Sequence, residues 1–167
     1  MFSVGDRIAH PMHGAGVIDS ITTRKVDGAE KKYYVLKLPA GDMLVMIPVD
    51  SCGTIGVRPI IDPAEAKKVI DSFPELEINT TQNWNRRYRE NMDKIKSGDL
   101  MEVATVIKGL MLRDQEKGLS SGERKMLRSA KQILISEIVL SESSSYEEIE
   151  ERINLAVQNT ITLGCCR

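Results

Sequence analysis

The chain has 167 residues, 41% of them hydrophobic and 28% charged, with a formal net charge of −1. That length makes one medium domain or two small ones, and near-neutrality argues against a wholesale polyanion binder. Three cysteines form no paired framework, MFSVGDRIAH lacks a signal-peptide layout, and no stretch approaches a membrane span, so a reducing cytoplasmic setting is expected.

The first 60 residues read as short strands broken by glycine. Val4 to Ala9 is one, and Gly14 to Thr23 is a second that alternates near its middle. Val26-Asp27-Gly28-Ala29 is a turn, and Lys32 to Leu38 a third strand rich in β-formers. Pro39-Ala40-Gly41-Asp42 turns the chain into a fourth strand, Met43 to Pro48, and Thr54 to Arg58 is a short fifth. Five short strands in about 55 residues predict a small, strongly bent antiparallel barrel of the SH3 or Tudor kind, with glycines at its corners.

Asp62-Pro63 changes the grammar, because Asp62 suits a helix N-cap and Pro63 a first helical residue. That helix should end near Phe73, before Pro74, and Glu75 to Gln82 reads as a loop. A second helix runs from about Asn83 to Ser97 and ends at Gly98. Asp99, with Glu102 in the capping-box position, opens a third that Gly118 closes. Ser120-Ser121-Gly122-Glu123 repeats the capping spacing and opens a fourth to about Leu140. Ser144 or Ser145 opens a fifth to about Thr162. Leu100, Val103, Val106, Ile107, Leu110 and Met111 form a single-faced stripe, as do Met126, Leu127, Ala130, Ile133, Leu134 and Ile138. The expectation is a mixed α+β chain of two domains: a β module over residues 1–60 and a compact helical bundle over 61–167.

Charge is unevenly spread. Residues 1–63 are neutral, 64–79 carry −2, 80–135 carry +5 and 136–167 carry −4. The basic stretch holds the single tryptophan, in Asn83-Trp84-Asn85-Arg86-Arg87-Tyr88-Arg89. Arginines meet phosphates, amides meet groove edges, and a flat indole can press between bases. Trp84 could equally be a buried anchor at a helix start, with the arginines as a solvated face. Arg86, Arg87, Arg89, Lys94 and Lys96 fall on the second helix, and Arg124, Lys125, Arg128 and Lys131 on the fourth. Spacings of four and three stack Arg124, Arg128 and Lys131 on one face, which favours a counter-charge: an acidic helix, or phosphates.

Catalytic motifs are missing. Gly14-Ala15-Gly16 opens a strand and is no dinucleotide loop. His10 and His13 fall short of a zinc site. Cys52 has no histidine close in sequence to activate it, and adjacent Cys165 and Cys166 cannot form an ordinary bridge. Glu147, Glu148, Glu150 and Glu151 suit a helix start. No cofactor, metal or small-molecule substrate is expected, and no enzyme.

Three ordered segments match a known pattern. His10-Pro11-Met12-His13-Gly14-Ala15-Gly16-Val17-Ile18 resembles the opening of the CarD/CdnL family, although His10 replaces the usual tyrosine. The Asn83 to Tyr88 segment resembles the family's tryptophan segment, and Arg113 to Leu127 its most specific stretch. The first module is also similar to the polymerase-interacting domain of transcription-repair coupling factors. The resemblance implies a non-enzymatic bacterial transcription regulator, cytoplasmic and nucleoid-associated through RNA polymerase. Its Tudor-like module would dock on the polymerase β subunit. Its helical module would reach promoter DNA at the upstream edge of the melted region, largely without regard to sequence. There Trp84 would wedge into the minor groove and stabilise the open complex. The implied DNA-binding set is Trp84, Asn85, Arg86, Arg87, Arg89, Arg124, Lys125 and Arg128. The implied polymerase-binding set is Arg24, Met46, Ile47 and Pro48, with Met46 standing where relatives often place an arginine. The alternative is an SH3- or Tudor-like protein–protein adaptor that never touches DNA.

Overall fold

A computed structural model describes residues 1–39, 43–78 and 83–165, with side chains to residue 158. Five antiparallel strands come first: β1 (Arg7–His10), β2 (Gly14–Val26), β3 (Ala29–Lys37), β4 (Leu44–Pro48) and β5 (Arg58–Pro59). They hydrogen-bond in the order β4-β3-β2-β1-β5, so the last strand returns to pair with the first. The five antiparallel strands expected from the sequence are present, joined in one sheet. Six α-helices follow or interrupt it: α1 (Cys52–Ile55), α2 (Pro63–Ser72), α3 (Trp84–Lys96), α4 (Leu100–Glu116), α5 (Ser121–Glu142) and α6 (Tyr146–Cys165).

The β2–β3 hairpin turns on Asp27 and Gly28, with φ of 52° and 80°. Positive φ at both central residues is the geometry Asp-Gly pairs favour in two-residue hairpins. A register shift between Ile18 and Ser20 bends β2. The expected fifth strand over Thr54–Arg58 is corrected: Thr54 and Ile55 close the helical turn α1, which stops at left-handed Gly56. Only Arg58 and Pro59 pair with β1. The first strand begins at Arg7, three residues later than expected, because Gly5 turns the chain. The turn expected at residues 39–42 and the end of the 75–82 loop lie outside the described residues.

Caps fall where the sequence predicts them. Asp62 accepts from the Glu65 amide, Asn83 from Arg86, Ser120 from Glu123, and Ser145 from Glu148. Asp99 accepts from Met101 rather than from Glu102, one position short of the box spacing. Two cores result. Ile8, Ile18, Tyr34, Leu36, Leu38, Ile47 and Cys52 form the core of the sheet. The helical core runs from Ala66 on α2 to Val157 on α6.

The cores are joined by α5 lying on β2. The Ser136 hydroxyl accepts the Ala15 amide at 2.9 Å. Glu137 takes two bonds from Arg58, at 2.8 and 3.0 Å, and one from the Ile61 amide at 2.9 Å. A Cβ on Gly14 would sit 2.5 Å from Ser136 Oγ, so only glycine permits this approach. Each polar group at the joint thus finds a partner, as burial demands.

Candidate nucleic-acid interface

Trp84 is the first residue of α3 and remains 43% exposed. Its ring stacks on Tyr88 one turn further on, with centroids 5.2 Å apart and planes 22° from parallel. Its Nε1–H donates to Ser120 Oγ at 3.3 Å, and Gly122 lies beside both rings. The reading of Trp84 as a buried core anchor is therefore set aside by its exposure. The indole is held at its polar edge and on one face, and is otherwise presented to solvent.

The cations around it divide into two groups. Arg86, Arg89, Arg124, Lys125 and Arg128 are exposed, as is Asn85. Arg86 pairs with Glu90 at 3.0 Å, while Arg124 and Lys125 lie in the first turn of α5, next to Gly122 and its ring contacts. Asn83, the other amide of the motif, is occupied as the helix cap.

Arg87 is different. It is only 9% exposed and donates to Glu123 at 2.9 Å. Its expected place among the solvent-facing contacts is corrected, because its side of α3 packs on α5. Glu123, 3% exposed, also faces Arg113 at 3.6 Å. Taking one partner from so buried a pair would cost about 3–5 kcal/mol. Lys108, counted in the basic stretch, is also internal: it donates to the Pro74 and Leu76 carbonyls at 3.1 and 2.8 Å. Burial pushes its pKa down. The surface of the middle region is thus less basic than its sequence charge.

On the sheet, register sorts the second candidate set. Arg24 pairs across from Lys31, Pro48 from Tyr33 and Met46 from Val35. Directly paired residues share a face, so Arg24, Met46 and Pro48 lie together on the outer face, opposite Tyr34, Leu36 and Ile47. Exposed Leu44, absent from the expected set, joins them opposite Lys37. Ile47 does not. It pairs with Tyr34 on the opposite face and is 1% exposed, so its expected role as a contact residue is corrected to one in the core.

Cys52 is buried, its thiol donates to the Pro48 carbonyl at 3.4 Å, and burial pushes its pKa up. A thiol that resists ionisation is a poor nucleophile. The His10 and His13 rings lie 4.5 Å apart, and His10 Nδ1 accepts the Met12 amide, which leaves one fewer nitrogen for any ligand. Among the described residues no helix is long and apolar enough to cross a membrane.

A five-stranded antiparallel sheet is thus followed by a helical bundle whose α3 and α5 bear exposed cations and an exposed tryptophan. A family model described as CarD-like/TRCF RID domain matches residues 2–61, and one described as CarD, C-terminal domain matches residues 68–154. The chain belongs to the CarD/CdnL family of transcription regulators. It is 36% identical over 150 residues to YdeB of Bacillus subtilis (strain 168), by its name a candidate transcription factor. That match spans 90% of this chain and 98% of the relative.

Proposed function

We propose that the chain is a non-enzymatic regulator that stabilises the open promoter complex. In this reading residues 1–60 dock on the RNA polymerase β subunit through the outer sheet face, using Arg24, Met46 and Pro48. Residues 61–167 meet promoter DNA at the upstream edge of the melted region. The observation that carries the reading is Trp84: an indole left 43% exposed at the start of a helix, within a turn of Arg86 and beside the start of α5. An exposed aromatic ring on the helix that also carries exposed Arg86 and Arg89 suits a ligand that is both flat and anionic.

The mechanism is differential affinity. A bound protein shifts the closed-to-open equilibrium only by binding one state more tightly. Wedging an apolar ring between base pairs costs a few kcal/mol in unstacking, and least where the duplex is already distorted. Trp84 therefore favours opened DNA, while Arg86, Arg89, Arg124, Lys125 and Arg128 grip phosphates without reading sequence. Polymerase docking supplies the local concentration that weak duplex binding lacks.

Trp84→Ala should shorten open-complex lifetime on the order of tenfold, since each tenfold corresponds to about 1.4 kcal/mol, and should leave polymerase binding intact. An unchanged lifetime would sink the wedge. Arg24→Glu should have the reverse signature, with lost pull-down of the β subunit. An adaptor without DNA contact would show neither salt-dependent retention on promoter complexes nor sensitivity to Trp84.

A further inference from the structure

One oxygen serves two elements at the rim of the bundle. Ser120 Oγ accepts the Glu123 amide at 3.2 Å, as the N-cap of α5, and accepts the Trp84 indole N–H at 3.3 Å. Its own proton is directed toward Glu123 Oε1, 3.5 Å away. A hydroxyl has one donor and two acceptor sites, so all three are engaged. Glu123 is itself clamped by Arg87 from α3 and Arg113 from α4. Three helices therefore converge on one carboxylate, and the carboxylate steers the serine that receives the indole.

We propose that Ser120, set by Glu123, is the positioning residue for Trp84. A cap alone needs only the Glu123 amide; it has no use for the indole. Tyr88 covers one ring face and Ser120 takes the ring's single donor, and together these fix both side-chain torsions of the tryptophan before DNA arrives. Preorganisation of this kind raises affinity by sparing the ligand-bound state the loss of rotamer freedom. The inference rests on the wedge reading and deepens it: the orientation of Trp84, as well as its presence, sustains the opened state.

The test exploits the single tryptophan in the chain, whose indole N–H gives one NMR resonance. Ser120→Gly removes the hydroxyl while keeping a residue that helix starts accept, and Ser120→Thr keeps both hydroxyl and cap. Ser120→Gly should move the indole proton upfield and speed its exchange with solvent. It should also cut open-complex lifetime by roughly threefold to tenfold, the range for freeing one side chain, and Ser120→Thr should restore both. An unmoved indole resonance in Ser120→Gly overturns the proposal, since Ser120 would then be a cap only. A moved resonance with an unchanged lifetime overturns it as well, provided Trp84→Ala shortens the lifetime in the same assay. If Trp84→Ala itself is inert, the wedge reading falls and carries the proposal with it.

Discussion

Single residues on neighbouring positions do different work here. Met46 and Ile47 are adjacent on β4, yet one lies on the outer face and the other in the sheet core. Ile47→Ala should destabilise the fold by about 2–4 kcal/mol, as large-to-small core changes do, read as a lower urea midpoint. Met46→Ala should leave that midpoint nearly unchanged and weaken polymerase binding, read by pull-down. The opposite assignment of the two effects would refute the placement. Alternation along β4 names two faces, and only the pairing of Ile47 with Tyr34 tells which is inner. His10 carries a pH signature. Burial, and then His13, hold its imidazole below the ordinary 6.5. The folded state takes up this proton at lower pH than the unfolded chain does. Stability should therefore fall as pH drops from 6.5 toward the lower folded value, and level off beneath it. Urea midpoints measured at about pH 7.5 and 5.5 should differ, and His10→Gln should flatten that difference. A slope unchanged in His10→Gln would assign it elsewhere.

At the scale of elements, the helices were readable because their starts are local chemistry. Asp62, Asn83, Ser120 and Ser145 each bond an amide three residues on, a pattern visible without any tertiary knowledge. What such spacing hides is the second use of the same side chain. Glu123 looks like a capping-box acid, but its main partner, Arg87, is 36 residues away on another helix. Likewise Arg86 and Arg87 look alike in a basic run, and only the packing of α3 on α5 turns one inward. The Ser120-x-x-Glu123 spacing was the available clue, and it pointed to a cap alone. Glu123→Ala would leave Arg87 and Arg113 without their buried counter-charge. It should lower stability by about 3 kcal/mol or more, measured by thermal or urea unfolding. A loss well under 1 kcal/mol would show that the pair is solvated. The fifth strand failed for a similar reason: Thr54 and Ile55 favour strands locally, and the left-handed Gly56 that ends a helical turn overrode them.

The whole molecule depends on how α5 meets β2. Ser136, Glu137 and Gly14 form that joint through partners from 76 to 122 residues distant, which no local pattern displays. Gly14→Ala places a methyl on Ser136 Oγ at a positive φ, and should cost about 2–4 kcal/mol through strain and overlap. Glu137→Ala frees Arg58 and strands the Ile61 amide, at a similar cost. Both should loosen the two halves before either unfolds, which hydrogen exchange at Ala15 and Ile61 would report. Equal protection in the variants would exclude the joint as the weak point. Because this joint ties α5 to β2 and to the Ile61 amide, it sets the distance from the outer sheet face to the indole. Whatever grips the sheet also decides how far away the tryptophan lands, as one jaw of a locked caliper decides the other. Reach then becomes a heritable trait carried by residues 14, 136 and 137, none of which belongs to either proposed contact set.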